Sequence, residues 1–192
     1  MTNITHISTV EAAKLIFEGC KDIYIKKMED YGTSWRVMRL PSLTDQLFIK
    51  ANRIKSIQES GLTLVGETIE SDFMAIINYG ITAIIQFNLN NDPDFDKTTL
   101  SLSSDKAIEL YDKVIDELVG LMENKNHDYG EAWRMMRVTS MTDLILTKLL
   151  RIKHIEDNNG KTLNSEGVEG NYADIVNYSV FCIIKLTEEN LQ

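Results

Sequence analysis

The chain of 192 residues contains an internal repeat, and this feature constrains its fold more than any other. When the sequence is shifted by 98 positions, residues 30–57 align with residues 128–155, and 15 of those 28 pairs are identical. Unrelated segments would share roughly two, at about 6% identity per position for average composition. The repeat predicts one structural module present twice, as residues 1–92 and residues 93–192.

Each copy is predicted to contain three helices, with boundaries that follow from capping signals. The spacing that begins at Ser8 is typical of a capping box, and Gly32 and Gly130 stand where a helix commonly ends. Ser42 and Ser140 have the spacing of N-caps for the second helix of each copy. The predicted helices are residues 10–30, 42–59 and 70–88 in the first copy, and 105–128, 140–157 and 169–187 in the second.

The predicted fold class is therefore all-α, with the two three-helix modules packed about a pseudo-two-fold axis into one globular unit, as two subunits of a homodimer would be. Self-association of the whole chain stays open. The second helix is apolar around most of its circumference, which predicts a central position in the core. Lys148 and Arg151 on this helix would then need buried acidic partners, and we expect Glu169 and Asp174 to supply them.

The composition excludes some classes of partner. With 43% hydrophobic and 26% charged residues and only two prolines, the chain has a globular, helix-compatible balance. Its net charge of −9 argues against nonspecific nucleic acid binding, which relies on clustered basic residues. No apolar run reaches the ~18 residues of a membrane span, and Cys20 and Cys182 have no motif partners. We expect a cytoplasmic protein with reduced thiols and no membrane partner.

The arginines provide the most specific functional signal. All six fall at matched positions of the repeat, and both tryptophans, Trp35 and Trp133, are matched as well. Arginine is suited to bidentate contact with carboxylate or phosphate. Two interpretations stay open: the arginines brace buried helices through acidic partners, or they line a phosphate pocket with Tyr129 or Trp133 as an aromatic face. The candidate basic residues are Arg36, Arg39, Lys50 and Arg53 in the first copy and Arg134, Arg137, Lys148 and Arg151 in the second.

An acidic cluster in the second copy is a candidate magnesium site. Glu166, Glu169 and Asp174 carry carboxylates of the kind that hold magnesium together with water and substrate phosphate. Glutamates in the first turn of a helix also complement its dipole, which is the structural alternative for Glu166 and Glu169. The first copy has Ala75 at the position of Asp174, so only the second copy has the complete set.

These motifs resemble a known family. The run DYGxxWR, the Asp, Lys and Arg helix, and the acidic residue followed by Asn-Tyr resemble the nucleotide modification-associated domain 1 family over most of both copies. In the second copy the pattern is matched by Asp128, Tyr129, Gly130, Trp133, Arg134, Lys148, Arg151, Glu169, Asp174, Asn177 and Tyr178. The resemblance implies a bacterial or phage protein concerned with nucleotides, without an established reaction.

Acidic helical chains of this kind are also similar to the all-α nucleoside triphosphate pyrophosphatases, whose clustered carboxylates hold magnesium. Here the second helix carries Lys and Arg in place of their Glu-x-x-Glu pair, so that similarity is partial. From the residues and the resemblance together we expect binding, or hydrolysis, of a nucleotide or related phosphate compound, with magnesium as the candidate cofactor. The alternative is a non-enzymatic interaction or scaffold module whose Arg and acid pairs are structural.

Overall fold

A computed structural model describes residues 7–63, 66–161 and 167–189, and this part of the chain is helical without strands, which confirms the all-α prediction. The six main helices are α1 (Thr9–Tyr31), α2 (Leu40–Ser60), α3 (Ile69–Asn91), α4 (Ser104–Tyr129), α5 (Val138–Asp157) and α6 (Val168–Glu189). A short 3₁₀ turn precedes α2 at Ser34–Val37 and α5 at Ala132–Met135. None of the described helices is long and apolar enough to cross a membrane.

Local sequence signals explain where the first helix of each copy begins and ends. Ser8 and Glu11 form the predicted capping box, in which each side chain satisfies a backbone amide of the other residue. Gly32 and Gly130 follow α1 and α4 with φ of +62° and +59°, a region that glycine enters without steric cost. The helix ends predicted at these glycines are confirmed.

The predicted caps of the second helices are wrong by one turn. Arg39 and Arg137 occupy the N-cap positions of α2 and α5, without a side-chain capping bond, and Ser42 and Ser140 lie inside the first turn. In α2, Pro41 stands in the first turn, where its missing amide hydrogen costs no hydrogen bond. Both helices therefore begin before the serines that the sequence indicated as N-caps.

The centre of the core is formed by α3 and α6, which make the most extensive contact in the molecule. The prediction that α5 is central is wrong, because α5 packs on α2 and α6 with one face and leaves Leu150 49% exposed. Arg151, which a central α5 would bury, is exposed as a result. Its counterpart Arg53 on α2 has a side chain that is only 22% exposed and pairs with Asp72, as expected for a largely buried arginine. An apolar circumference alone does not determine how many neighbours a helix obtains.

Matched elements of the two copies lie against each other, because α1 contacts α4, α2 contacts α5 and α3 contacts α6. The ion pairs between α2 and α5 are exchanged: Lys55 pairs with Asp143 at 2.9 Å, and its counterpart Lys153 pairs with Asp45, the counterpart of Asp143. A two-fold relation produces such reciprocal contacts. These contacts agree with the pseudo-two-fold arrangement, which itself stays a prediction from the repeat.

Candidate functional site

Two cavities occur at corresponding places in the two copies. Each lies between the first helix, the 3₁₀ turn and the third helix of its own copy. Their linings match position by position: Lys27, Tyr31, Trp35, Met38, Asn78 and Tyr79 in the first cavity stand where Lys125, Tyr129, Trp133, Met136, Asn177 and Tyr178 stand in the second. The duplication has therefore preserved a cavity as well as a fold.

The cavities differ in size and in several lining residues. The first has a volume of about 210 Å³ and the second about 500 Å³. Pockets for small ligands usually measure about 300–1,000 Å³, so only the second has the ordinary size. Ala75 and Thr82 of the first cavity are replaced by Asp174 and Phe181 in the second. The second cavity is the better candidate site.

The indole ring of Trp133 is held firmly in the wall of the second cavity. It stacks on Phe181 with a centroid distance of 4.4 Å and an interplanar angle of 5°, and the Arg134 guanidinium carbon lies 4.6 Å from its centroid. The buried Nε1 of this indole has no hydrogen-bond partner among the described residues. Trp133 is thus a firmly held lining residue, and the Nε1 of its counterpart Trp35 is buried without a partner in the same way.

Asn177 is the most unusual residue of the second cavity. It is only 5% exposed, and neither its amide nitrogen nor its amide oxygen has a partner in the part of the chain that the structure describes. Its counterpart Asn78 accepts a hydrogen bond of 2.6 Å from the Tyr111 hydroxyl. The position that matches Tyr111 in the repeat is Ala13, which has no hydroxyl group. The first cavity's amide is therefore partly satisfied within the protein, whereas the second cavity's amide is not.

Asp174 lies beside Asn177 and is paired with two lysines. Lys125 donates to one carboxylate oxygen at 2.6 Å and Lys148 to the other at 2.5 Å. Burial raises the pKa of Asp174, but these two hydrogen bonds and charges outweigh it, so that the pKa lies below its ordinary value. The predicted contact between Lys148 and Asp174 is present, and the carboxylate is held ionised.

In the first copy, a different acidic residue of α3 pairs with the basic residues of the second helix, α2. Asp72, which is fully buried, accepts from Lys50 at 3.0 Å and from Arg53. It lies one helical turn before Ala75, on the same face of α3. The comparison of matched residues did not identify Asp72, because its counterpart Asn171 is uncharged. A search of the first copy for an acidic residue one helical turn from Ala75 would have found it.

The arginines lie outside both cavities. Arg134 donates to Glu131 at 2.7 Å and to Glu188 at 2.6 Å, and Arg36 donates to Gln86 and to the Thr99 carbonyl. None of the six arginines is among the residues that line either cavity, and Arg39, Arg137 and Arg151 are exposed. The contacts of Arg36 and Arg134 are those of braces between elements, which is the structural interpretation of the sequence signal.

The remaining candidate residues are dispersed. Tyr129 is 74% exposed at the edge of the second cavity, and Asp128 is exposed beside His127, with 3.1 Å between carboxylate and ring nitrogen. Glu169 is half-buried in the first turn of α6, and Glu166 lies outside the described residues. Among the residues that are described, no three acidic, histidine or cysteine side chains come together in a metal-binding group. The magnesium site therefore stays a prediction from sequence.

Comparisons with known proteins bear on both copies. No curated protein and no solved structure matches the chain significantly. The family model described as nucleotide modification associated domain 1 matches residues 27–87 and residues 125–186, which together make up more than half of the chain. These segments contain most of the lining of both cavities. The protein therefore belongs to the nucleotide modification associated domain 1 family and carries that domain in two tandem copies.

Proposed function

We propose that this protein binds a nucleotide-related compound and that the second cavity receives its base. The observation that carries the proposal is the buried Asn177 amide, of which both polar atoms lack a partner among the described residues. A buried polar group without a hydrogen bond costs about 1–3 kcal/mol. A ligand that supplies the missing partners would recover this free energy on binding.

The chemistry of the cavity suits a nucleobase. A side-chain amide offers one donor and one acceptor side by side, the arrangement that pairs with the polar edge of a base. Trp133 lines the same cavity, and its buried N–H has no partner among the described residues. Tyr129 and Tyr178 also line it, and an exposed ring such as that of Tyr129 offers a face on which a base can stack. Family membership supports the same class of ligand.

The proposal covers binding and does not include a hydrolytic step. Asp174 is the carboxylate that lines the cavity, and both of its oxygens already accept from ammonium groups. A carboxylate engaged in this way is a weak general base and a poor ligand for a cation. Because the sequence suggested magnesium as a cofactor, the binding of each compound is to be measured with and without it.

The arginine contacts favour a second candidate function. Arg134 and Arg36 make closed contacts inside the protein, as expected for a non-enzymatic interaction or scaffold module. In such a module the two cavities would have no ligand. The two candidates therefore differ in one measurable property, which is the affinity of the second cavity for nucleosides and nucleotides.

Calorimetric titration of the full chain tests the proposal. The probes are the four ribonucleosides, the four deoxyribonucleosides and their 5′-monophosphates, each with and without magnesium. We expect one site per chain, loss of binding in Asn177→Leu, and retained binding in the matched control Asn78→Leu. If none of these compounds binds the wild-type protein, or if both variants bind as the wild type does, the proposal is wrong.

A further inference from the structure

We infer that the second cavity selects a weakly charged ligand, a nucleoside or nucleoside monophosphate, over a nucleoside triphosphate, and that Asp174 sets this selectivity. This inference rests on the proposed function and specifies its ligand class. It follows from the charges that line the cavity and from the way in which they are already paired.

The cavity offers little positive charge for a polyphosphate. Among the described residues of its lining, Lys125 is the one that carries a positive charge, and its ammonium group lies 2.6 Å from Asp174. The two charges cancel within the lining. Lys148, which is not part of the lining, is held by the same carboxylate. A phosphate group that approaches the cavity would have to compete with Asp174 for both lysines.

Arg134, the arginine beside the cavity, is already paired with two glutamates. The Arg134 guanidinium lies against the ring of Trp133, but it donates to Glu131 and to Glu188. Sites that hold triphosphates combine several Lys and Arg side chains with magnesium, because the charge of three phosphates must be neutralised. The second cavity has one lysine that is already neutralised, and the whole chain has a net charge of −9. Each added phosphate should therefore weaken binding.

Only the second copy has an acidic residue at the position of Asp174, where it pairs with the lysine of the cavity lining. At the matched position the first copy has Ala75, and the lysine that corresponds to Lys125, Lys27, lines the first cavity without an acid at that position. Among the described lining residues, Asp174 is the one that carries a negative charge. Replacing Asp174 with a neutral residue of the same size would remove the acid that pairs with Lys125 in the lining, and this change should alter the selectivity.

The experiment compares each ribonucleoside with its 5′-monophosphate and its 5′-triphosphate by calorimetry, without magnesium and at low salt. In the wild-type protein we expect the triphosphate to bind more weakly than the nucleoside. In Asp174→Asn we expect the ratio of triphosphate to nucleoside affinity to rise by roughly tenfold or more, and the gain to shrink at high salt as charges are screened. The control Asp94→Asn removes an equal charge from the exposed α3–α4 connection and should leave the ratio unchanged.

The outcomes separate this inference from the proposed function. If the triphosphate binds the wild type most tightly, the inference is overturned, whereas the proposed function stands. If the ratio in Asp174→Asn equals that of the wild type, Asp174 does not set the selectivity. If no compound binds, both fail. If Asp174→Asn does not fold, Lys125→Gln is the alternative variant, because the Lys125 side chain is 44% exposed. If Asp174 already neutralises Lys125, this substitution should weaken monophosphate binding by less than about threefold. A larger loss of affinity would contradict the inference.

Discussion

Gly80 of α3 lies directly against Val176 of α6: a methyl group built on Gly80 would be 2.5 Å from Cγ2 of Val176. Both residues are buried where the two central helices pack together. Val176 is β-branched, so its methyl groups cannot easily rotate away inside a helix. The close packing of the two copies therefore depends on a residue without a side chain at position 80.

Gly80→Ala should lower the free energy of unfolding by about 1–3 kcal/mol, the usual cost of inserting a methyl group into a packed core. Urea denaturation followed by circular dichroism measures this change. Gly120→Ala is the control, because Gly120 lies inside α4 with open space around it. That substitution should raise stability by about 0.5–1 kcal/mol through helix propensity. Equal effects at the two positions would contradict the close packing of α3 on α6.

The two matched asparagines should respond in opposite ways to replacement by leucine. Asn78→Leu leaves the buried Tyr111 hydroxyl without its acceptor and should destabilise the protein by about 1–3 kcal/mol. Asn177→Leu removes two polar atoms that have no partner in the described structure, so the ligand-free protein should keep or gain stability. Thermal denaturation of the two variants decides the matter. A loss of stability in Asn177→Leu as large as that in Asn78→Leu would show that Asn177 is satisfied within the protein.

Glu156 provides a prediction that depends on pH. It is partly buried at the interface of α2 and α5, where it accepts from Thr44 at 2.8 Å, and burial is the main cause that raises its pKa above 4.5. Because the folded-state pKa is the higher one, the stability linked to its protonation is present below pH 4.5 and is lost as the pH rises through the raised pKa. The matched residue in the first copy is Gln58, which is neutral at every pH.

Glu156→Gln should therefore stabilise the protein at neutral pH, by up to about 1 kcal/mol, and this gain should disappear below pH 4.5. Glutamine keeps an oxygen that accepts from Thr44. Chemical denaturation at pH 4 and at pH 7 measures the difference. An advantage of the variant that is the same at both pH values would contradict the assignment of the effect to ionisation.

A buried arginine and an exposed arginine should differ in their contribution to the free energy of unfolding. Arg36 is 4% exposed, donates to Gln86 and Thr99, and lies 5.2 Å from the centroid of the Phe95 ring. Arg36→Ala should cost about 1–3 kcal/mol, because buried acceptors lose their donor. Arg151 is exposed, so that Arg151→Ala should change stability by no more than about 0.5 kcal/mol. If Arg151→Ala is the more harmful of the two, the described packing of α5 is wrong.

The sequence alone determined the features that depend on local interactions and on duplication. The all-α class, the order of the helices and the ends at Gly32 and Gly130 follow from periodicity and from backbone preferences of single residues. The contact of Lys148 with Asp174 was also predictable, since a charge on a largely apolar helix requires a nearby partner. Family membership follows from the repeated motifs in the same way.

Tertiary structure decided which helices are central and which polar groups find partners. Both α5 and α6 are apolar around much of their circumference, and only the packing of α6 on α3 shows which one is enclosed. Asn78 and Asn177 occupy matched positions and each precedes a tyrosine, yet Tyr111 satisfies only the first. The physical reason is that burial and hydrogen bonding depend on neighbours that are distant in the chain, and no local pattern specifies those neighbours.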